Sequence, residues 1–395
     1  MTEFGFIDHI KELFAALPDN GFEGIGDDCA VLPVGEGESL VFTTDMLAEG
    51  VHFLRPATSP RELGRKSLAV NLSDVASMGA RPVGTLLSLS LPADTAGTWA
   101  EEFMLGYREL SEAFGVTLAG GDTTRSAAGI TINVTAIGRI ADAHIKRRSG
   151  ARPGDAILVA GELGLSGAGL RDILAGRYDT PAAAAHRNPQ PQVAEGIWLG
   201  ARPEIHAMMD LSDGLASDIR HIMERSGVGA AIDIGRIPLA QGADVETAAC
   251  GGEDYKLLLT ADTVVLAGGE FRMTAEGSTW HGGKILGKPR DRDDARRMLK
   301  ILSGAHHLVT TGVTLRSAAR MTHFTSLTYV WFRTLTDEEI AYYVDTFQPF
   351  DKAGAYGIQE WIGYAAIERI EGSFYNVMGL PVQKVYTELD KFLNP

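Results

Sequence analysis

The sequence predicts an α/β (α+β) fold divided among several units, on three observations. Its 395 residues exceed what one hydrophobic core usually serves. Strand-like and helix-like patterns alternate through residues 1–140, and again from 156 to 283. A connector rich in Gly, Pro and charge, KRRSGARPGD (146–155), separates these stretches, and a third, helix-bearing stretch follows. The expected units are 1–140, 150–283 and 284–395.

The elements follow in order. MTEFGFIDHIKELF reads as an amphipathic helix. SLVFTT (39–44), TLLSLSLP (85–92), GVTLAG (115–120) and ITINVTAIGRI (130–140) read as strands. The last alternates, with Ile130, Ile132, Val134 and Ala136 on one face. Residues 60–78 read as a helix opened by Pro60 and closed near Gly79. AILVAG (156–161) is a strand, and DTPAAAAHRNPQPQ (179–192), with three prolines, reads as a loop. Two helices stand out further on. One, in PRDRDDARRMLKIL, has Ala295, Met298, Leu299 and Leu302 on one face. The other is opened by a capping box at Thr336 and Glu339, ahead of Ile340, Tyr343, Val344 and Phe347.

A hydrophobic share of 45% and a charged share of 22% fit an ordinary soluble protein. A net charge of −15 argues against broad binding to nucleic acid or anionic membrane, and suits anionic ligands that arrive with metal cations. Two cysteines, Cys29 and Cys250, cannot build a disulfide framework and fit a reducing cytoplasm. The N-terminus lacks the basic start and apolar run of a signal peptide. No apolar stretch reaches the roughly 18 residues of a membrane span.

Five acidic clusters are built alike. They are GIGDDCAVL (24–32), VFTTDM (41–46), NLSDVASMG (71–79), LAGGDTT (118–124) and DLSDGL (210–215). Each sets Asp beside Gly, Ser or Thr at the edge of an apolar run. Asp45 and Asp122 follow strands, where α/β sheets usually bind ligands. Asp74 falls in the last turn of its helix, where the macrodipole disfavours an anion. It shares a face with Ser67 and Asn71. Any one cluster could be a helix cap or turn; five together suggest hard oxygen ligands for Mg²⁺ and phosphate. Asp218, one turn into its helix, is expected at the surface. There is no P-loop, CxxC pair or HExxH. GELGLSGAGL (161–170) fits either a phosphate-approaching turn or a plain loop.

Residues 1 to about 283 resemble the thiamine-monophosphate kinase family, of the aminoimidazole ribonucleotide synthetase-like superfamily. The matching pieces, in the family's order, are GIGDDCAVL, TTDMLAEGVHF, GRKSLAVNLSDVASMGARP, TLAGGDTTR, RRSGARPGD, MDLSDGLASDI and GGEDYKLLL. The resemblance implies a two-domain kinase that phosphorylates thiamine phosphate to thiamine diphosphate with ATP and Mg²⁺ by direct in-line transfer. It also implies a homodimer built through the N-terminal domains. By position, it puts Mg²⁺ ligands at Asp27, Thr44, Asp45, Asp74, Asp122, Asp210 and Asp213, with Asp210, Asp213 and Asp122 closest to the chemistry. ATP contacts fall on Tyr107, Gly121, Arg148 and Ser212, and thiamine-phosphate contacts on His52 and Glu253. Read without the family, His52 is equally a packed loop histidine and Tyr107 a core residue. Glu253 and Asp254 could cap a turn, although two acids between Gly-Gly and an apolar strand fit a ligand loop better.

Residues 285–395 resemble the C-terminal half of the Maf family of nucleoside triphosphate pyrophosphatases. The pieces are ILGKPRDRDDARRMLKILSG, HLVTTGVTL, FRTLTDEEIAYYV, FDKAGAYGIQEWIG and IEGSFYNVMGLP. The resemblance implies a partial α/β segment with Lys288, Asp351, Lys352 and Gln359 at the family's site positions. The family's opening Ser-x-Ser-Pro-Arg-Arg has no counterpart: ATSPRELGRKS (57–67) carries Glu62 in place of the second Arg and already fits the kinase pattern. TADTVV (260–265) matches the central acidic motif and makes Asp262 a metal candidate. Lacking half its family's fold, the segment is expected to expose apolar faces and to be inactive or in need of a partner. The alternatives to kinase activity are pyrophosphatase activity from this segment, or a non-catalytic fusion.

Overall fold

Among the described residues, three larger sheets and one two-stranded hairpin account for the architecture. The computed structural model describes residues 3–14, 20–95, 97–232, 234–261, 264–267, 270–274, 277–281, 284–316 and 321–393. Among these, no helix is long and apolar enough to cross a membrane.

The first unit begins with α1 (Glu3–Phe14), β1 (Ala30–Gly35) and β2 (Glu38–Ala48). Glu36 and Gly37, between the two strands, both have positive φ, as a two-residue type I′ hairpin turn requires. Then follow α2 (Pro60–Ser77), β3 (Arg81–Leu91), α3 (Thr98–Phe114), β4 (Thr117–Arg125) and β5 (Thr131–Ala141). The sheet order is β1-β2-β5-β3-β4. All pairs are antiparallel except β3 with β4. Ile130, Ile132, Val134 and Ala136 are all buried, as the alternation predicts.

Helix α2 is the spine of this unit. Ser59 caps it in a box with Glu62, and Pro60 supplies the first turn. Its polar Ser67 and Asn71 are as buried as Leu68 and Leu72. Its crossing with α3 is very close. A Cβ on Gly64 would stand 1.9 Å from Phe103 O, and one on Gly106 would stand 1.9 Å from Arg61 O.

The second unit holds β6 (Ala156–Val159), α4 (Leu165–Leu174), α5 (Pro181–Arg187), α6 (Val193–Gly200), β7 (Ile205–Asp210), α7 (Leu215–Ser226), α8 (Val245–Cys250) and β8 (Leu257–Ala261). The strands pair antiparallel in the order β6-β8-β7. The tract 179–192 is not all loop. Thr180 caps α5 through Ala183 N, Pro181 takes the first helical position, and the following alanines are strong helix formers. The two units meet where Gly196 on α6 packs against Ala76 O of α2.

The third unit comprises β9 (Val264–Ala267), β10 (Glu270–Thr274), β11 (Gly277–His281), β12 (Lys284–Leu286), α9 (Arg292–Leu302), β13 (His306–Arg316), β14 (Met321–Phe332), α10 (Asp337–Phe347), α11 (Trp361–Ala366), β15 (Ile367–Glu371), α12 (Phe374–Val377) and α13 (Val382–Leu393). Its sheet runs β12-β9-β13-β14-β15, with β10 and β11 as a separate hairpin. Strand β9, from TADTVV, therefore belongs to this sheet although it precedes residue 284. Asp262 lies outside the described residues. The apolar faces expected of α9 and α10 pack together with Val309, Val330 and Phe332. Tyr364, Tyr375, Leu380 and Tyr386 remain exposed. At the junction with the second unit, Arg202 and Asp294 form a buried ion pair at 3.5 Å. There the Glu204 carboxylate fills the space where a side chain on Gly287 would stand.

The α2–α3 crossing is testable. Gly106→Ala forces a methyl group against the Arg61 carbonyl, and overpacking of this kind costs about 1–3 kcal/mol. Urea unfolding of the variant should show a loss in that range; an unchanged midpoint would mean that the helices have room to separate.

Candidate active site

The acidic residues converge where the first two units meet. Asp28 lies just before β1, Asp74 in the last turn of α2, and Asp210 at the end of β7. Each offers a carboxylate oxygen, and these oxygens lie within 4.8 Å of one another. One oxygen of each is already engaged by a hydroxyl: Thr43 donates to Asp74 at 2.5 Å, Ser73 to Asp210 at 2.5 Å, and Ser77 to Asp28 at 2.6 Å. The Arg148 guanidinium pairs with Asp28. Burial works to lower the Arg148 pKa, but Asp28, Asp210 and Asp27 more than offset it.

Burial and mutual repulsion raise these acids. Asp74 and Asp210 lie well above the usual range, through desolvation and then their carboxylate neighbours. Asp45, behind them on β2, is pushed up to about 6 by burial and by Asp28; its backbone N donates to Asn71 Oδ1. The same environment pushes the buried Cys29 thiol up, chiefly through desolvation and then Asp74. Three converging carboxylates with one guanidinium form an all-oxygen donor set short of positive charge, which fits Mg²⁺.

Several expected site residues take other places. Asp27 turns away from the trio and accepts a hydrogen bond from Arg148 N at 2.7 Å; burial raises it to about 6. Of the Asp-Asp pair, it is Asp28 that joins Asp74 and Asp210. Thr44 is exposed on β2, bonded to Val134 O. Asp122 is exposed on the edge strand β4 and accepts from Thr123 N. Gly121 on that strand has φ 155°, and a Cβ there would collide with Leu87 O. Tyr107 sits in the core, its OH donating to Thr85 at 2.7 Å. Asp213 is exposed. Thus Thr44, Asp122, Asp213 and Tyr107 stand outside the three-carboxylate group.

Asp218 corrects the surface expectation. It is buried, and it accepts from Asp213 N and Gly214 N at 3.1 Å each. Burial and Asp213 push it up to about 7. Its side chain folds back to cap the start of α7 and so sets the DLSDGL loop.

The GGEDY loop closes the other side. Glu253 N donates to Ser212 O at 2.8 Å, which ties this loop to DLSDGL. The Glu253 carboxylate pairs with Lys66 of α2 at 2.9 Å. Asp254 accepts from Gly164 N and Ser166 N. The Gly-rich piece 161–170 is therefore a helix start already capped by a carboxylate, not an open phosphate cradle. His52 is half-buried, and its Nδ1 accepts from Ala48 N at 3.0 Å. In the third unit, Lys352 bridges Asp351 at 2.8 Å and Glu360 at 3.1 Å. Lys288 contributes to the positive field on Asp351. Lys288 and Gln359 are exposed.

The fold and this acidic centre define the class. Residues 26–140 and 152–263 match the N-terminal and C-terminal domains of AIR synthase related proteins, and residues 233–392 match Maf-like protein. The Maf-like match reaches well upstream of residue 285, and includes β9. Thiamine-monophosphate kinase of Escherichia coli (strain K12) is 40% identical over 252 residues, covering 60% of this chain and 75% of that protein. The structure of AaThiL complexed with AMPPCP and TMP aligns with a TM-score of 0.60 at 35% identity, over 66% of this chain and 84% of that one. The chain belongs to the thiamine-monophosphate kinase family, and carries a Maf-like segment at its C-terminal end. A dTTP/UTP pyrophosphatase of Bacteroides thetaiotaomicron is 53% identical over 127 residues, which are 32% of this chain. The chain spans 66% of that protein's length, just under two thirds.

The raised acids give a signed expectation. An acid whose native pKa exceeds its unfolded value binds more protons when folded, so stability grows as pH falls through the window between the two values. Here the window runs from the ordinary 3.8 up to about 6 for Asp27 and Asp45, and about 7 for Asp218. Buried His186 and His307, lowered to about 4 and about 3, act oppositely below their ordinary 6.5, so a difference measurement is needed. In chelator, Asp210→Asn should be more stable than wild type near pH 8, with the gap closing near pH 4. A gap that is constant across pH would show that the trio does not repel.

Proposed function

We propose that the chain transfers the γ-phosphoryl group of ATP to thiamine phosphate, giving thiamine diphosphate and ADP by one in-line displacement. The carrying observation is the convergence of Asp28, Asp74 and Asp210 beside Arg148, with Glu253 joined to the same loop through Ser212 O. A terminal oxygen of thiamine phosphate attacks the γ-phosphorus, and the bond from that phosphorus to the β–γ bridging oxygen breaks. The acceptor brings its own nucleophile, so the protein's task is alignment and charge neutralisation.

Asp28, Asp74 and Asp210, with Asp45 behind them, are the residues that would hold Mg²⁺. When bound, the metal supplies positive charge to the phosphate oxygens. Arg148 adds a fixed cation. Asp218 caps the start of α7 and keeps its loop in place. Ser212 stands beside the phosphates, and Glu253 and His52 hold the thiamine end. Thr44 and Asp213, and Gly121 and Asp122 at the β4 edge beside the dimer seam, are left for the metal and nucleotide parts that extend beyond the trio. Tyr107 supports that edge from within the core.

A homodimer through residues 1–140 would cover β4 and the apolar groove lined by Met104, Leu105, Val116 and Leu118. A reducing cytoplasm suits two free cysteines, one buried and one exposed. The Maf-like segment is read as catalytically silent alone. Lys352 is occupied by two carboxylates.

Purified chain with Mg²⁺, ATP and thiamine phosphate should form ADP and thiamine diphosphate. Asp210→Asn should lower kcat/KM by at least about 100-fold, roughly 2.7 kcal/mol; activity within about threefold, roughly 0.7 kcal/mol, would remove Asp210 from the metal site. The same preparation should leave dTTP and UTP intact. Robust metal-dependent hydrolysis would instead favour the pyrophosphatase reading.

A further inference from the structure

The GGEDY loop is held more firmly than a connector requires. Glu253 and Tyr255 have φ of 64° and 48°, a region that costs a residue with a side chain on the order of 1–3 kcal/mol. Tyr255 N donates to Leu211 O at 2.8 Å, and Asp254 is committed to the start of α4. These bonds fix the backbone around Glu253. Its side chain is fixed separately.

Glu253 Oε2 accepts from Lys66 Nζ at 2.9 Å and lies 3.2 Å from His186 Nε2. No described residue bonds its other oxygen, Oε1. The two partners come from distant elements, Lys66 from α2 and His186 from α5. His186 Nδ1 meets Ser166 Oγ at 3.0 Å. Burial, then Lys66, lowers His186 to about 4 against the opposing pull of Glu253; Arg187 adds to the lowering. The His186 ring therefore stands neutral against Glu253 Oε2 at 3.2 Å, a contact without hydrogen-bond geometry, while its Nδ1 shares a hydrogen bond with Ser166 Oγ. Lys66 Nζ also lies 3.5 Å from His52 O.

The exposures are unequal. The Lys66 side chain is 1% exposed and that of Glu253 19%. Burying an ammonium costs several kcal/mol, and a purely structural pair would bury its carboxylate as well. Here the cation is sealed in while the anion is partly exposed and keeps an oxygen that no described residue bonds.

We propose that Lys66 and His186 are positioning residues for Glu253: Lys66 holds Oε2 by a charged hydrogen bond and the His186 ring walls the same oxygen at 3.2 Å, so that Oε1 is presented to the cationic, N–H-bearing ring system of the substrate, and Lys66 steadies the His52 turn through its carbonyl. This rests on the thiamine-phosphate reading. Lys66 and His186 touch no substrate atom and act through Glu253.

The test uses the full chain. Lys66→Met should raise KM for thiamine phosphate at least about tenfold, about 1.4 kcal/mol, while KM for ATP changes less than about twofold. Added to Glu253→Gln it should cost nothing further, because the grip has nothing left to hold. His186→Gln should shift KM in the same direction, and it serves if Lys66→Met fails to fold. An unchanged KM in an active enzyme, or additive losses, would overturn the inference and leave the kinase reading standing. If wild type makes no thiamine diphosphate, the kinase reading fails, and the His186 titration followed by NMR still decides the grip. Its midpoint should rise by at least about one pH unit in Lys66→Met, and a midpoint that stays put overturns it.

Discussion

Helix α2 is buried on almost every side, against its own sheet, against α3 at a glycine–glycine crossing, and against α6. A helix so enclosed has no solvent face to hold its polar residues, so each must find a partner inside the protein. Asn71 accepts from Asp45 N, Ser73 and Ser77 donate to Asp210 and Asp28, and Lys66 reaches Glu253. These partners come from both units, and they are the residues that assemble the site. Lys66 and Asp74 are eight residues apart, about 12 Å along a helix axis. One rigid element thus fixes the distance between the Glu253 loop and the three carboxylates.

The acidic trio stores repulsion that metal-bound phosphate would relieve. It is held in place by hydroxyl donors on one side and Arg148 on another, so the carboxylates do not have to rearrange to receive a cation. Cys29, buried beside them, keeps its proton under the same field and does not compete as a soft ligand. An all-oxygen set of this kind, with the thiol held protonated, has the chemistry that suits a hard cation rather than a soft one.

Much of this was legible in the sequence. Period-two alternation announced β5, strand-like runs announced β2 and β3, Pro60 and Gly79 bounded α2, and a capping box announced α10. Asp74 and Asp210 were marked by their Ser, Thr and Gly neighbours and by the misfit of an anion at a helix C-terminus. Asp28 was missed in favour of Asp27 because the turn before β1 has no periodicity to say which of two adjacent acids points inward. Asp218 read as surface because its inward turn depends on the DLSDGL loop folding back over α7. The Pro-rich tract hid α5 and His186, although Thr180-Pro181 ahead of four alanines carried a helix-start signal. Lys66 carried a hint too, as a lysine heading the apolar run of a helix, but its partner is 187 positions away and only the fold brings them together.

The connection between β8 and β9 has a wider meaning. In sequence, only two residues separate Ala261 from Val264. Each strand lies at the interior of its own sheet, β8 between β6 and β7, and β9 between β12 and β13. Both units therefore use the chain as interior strand up to the described edges of the join. A cut inside β8 or inside β9 would take an interior strand out of one sheet or the other, so each unit needs its own end of the join to keep its sheet whole.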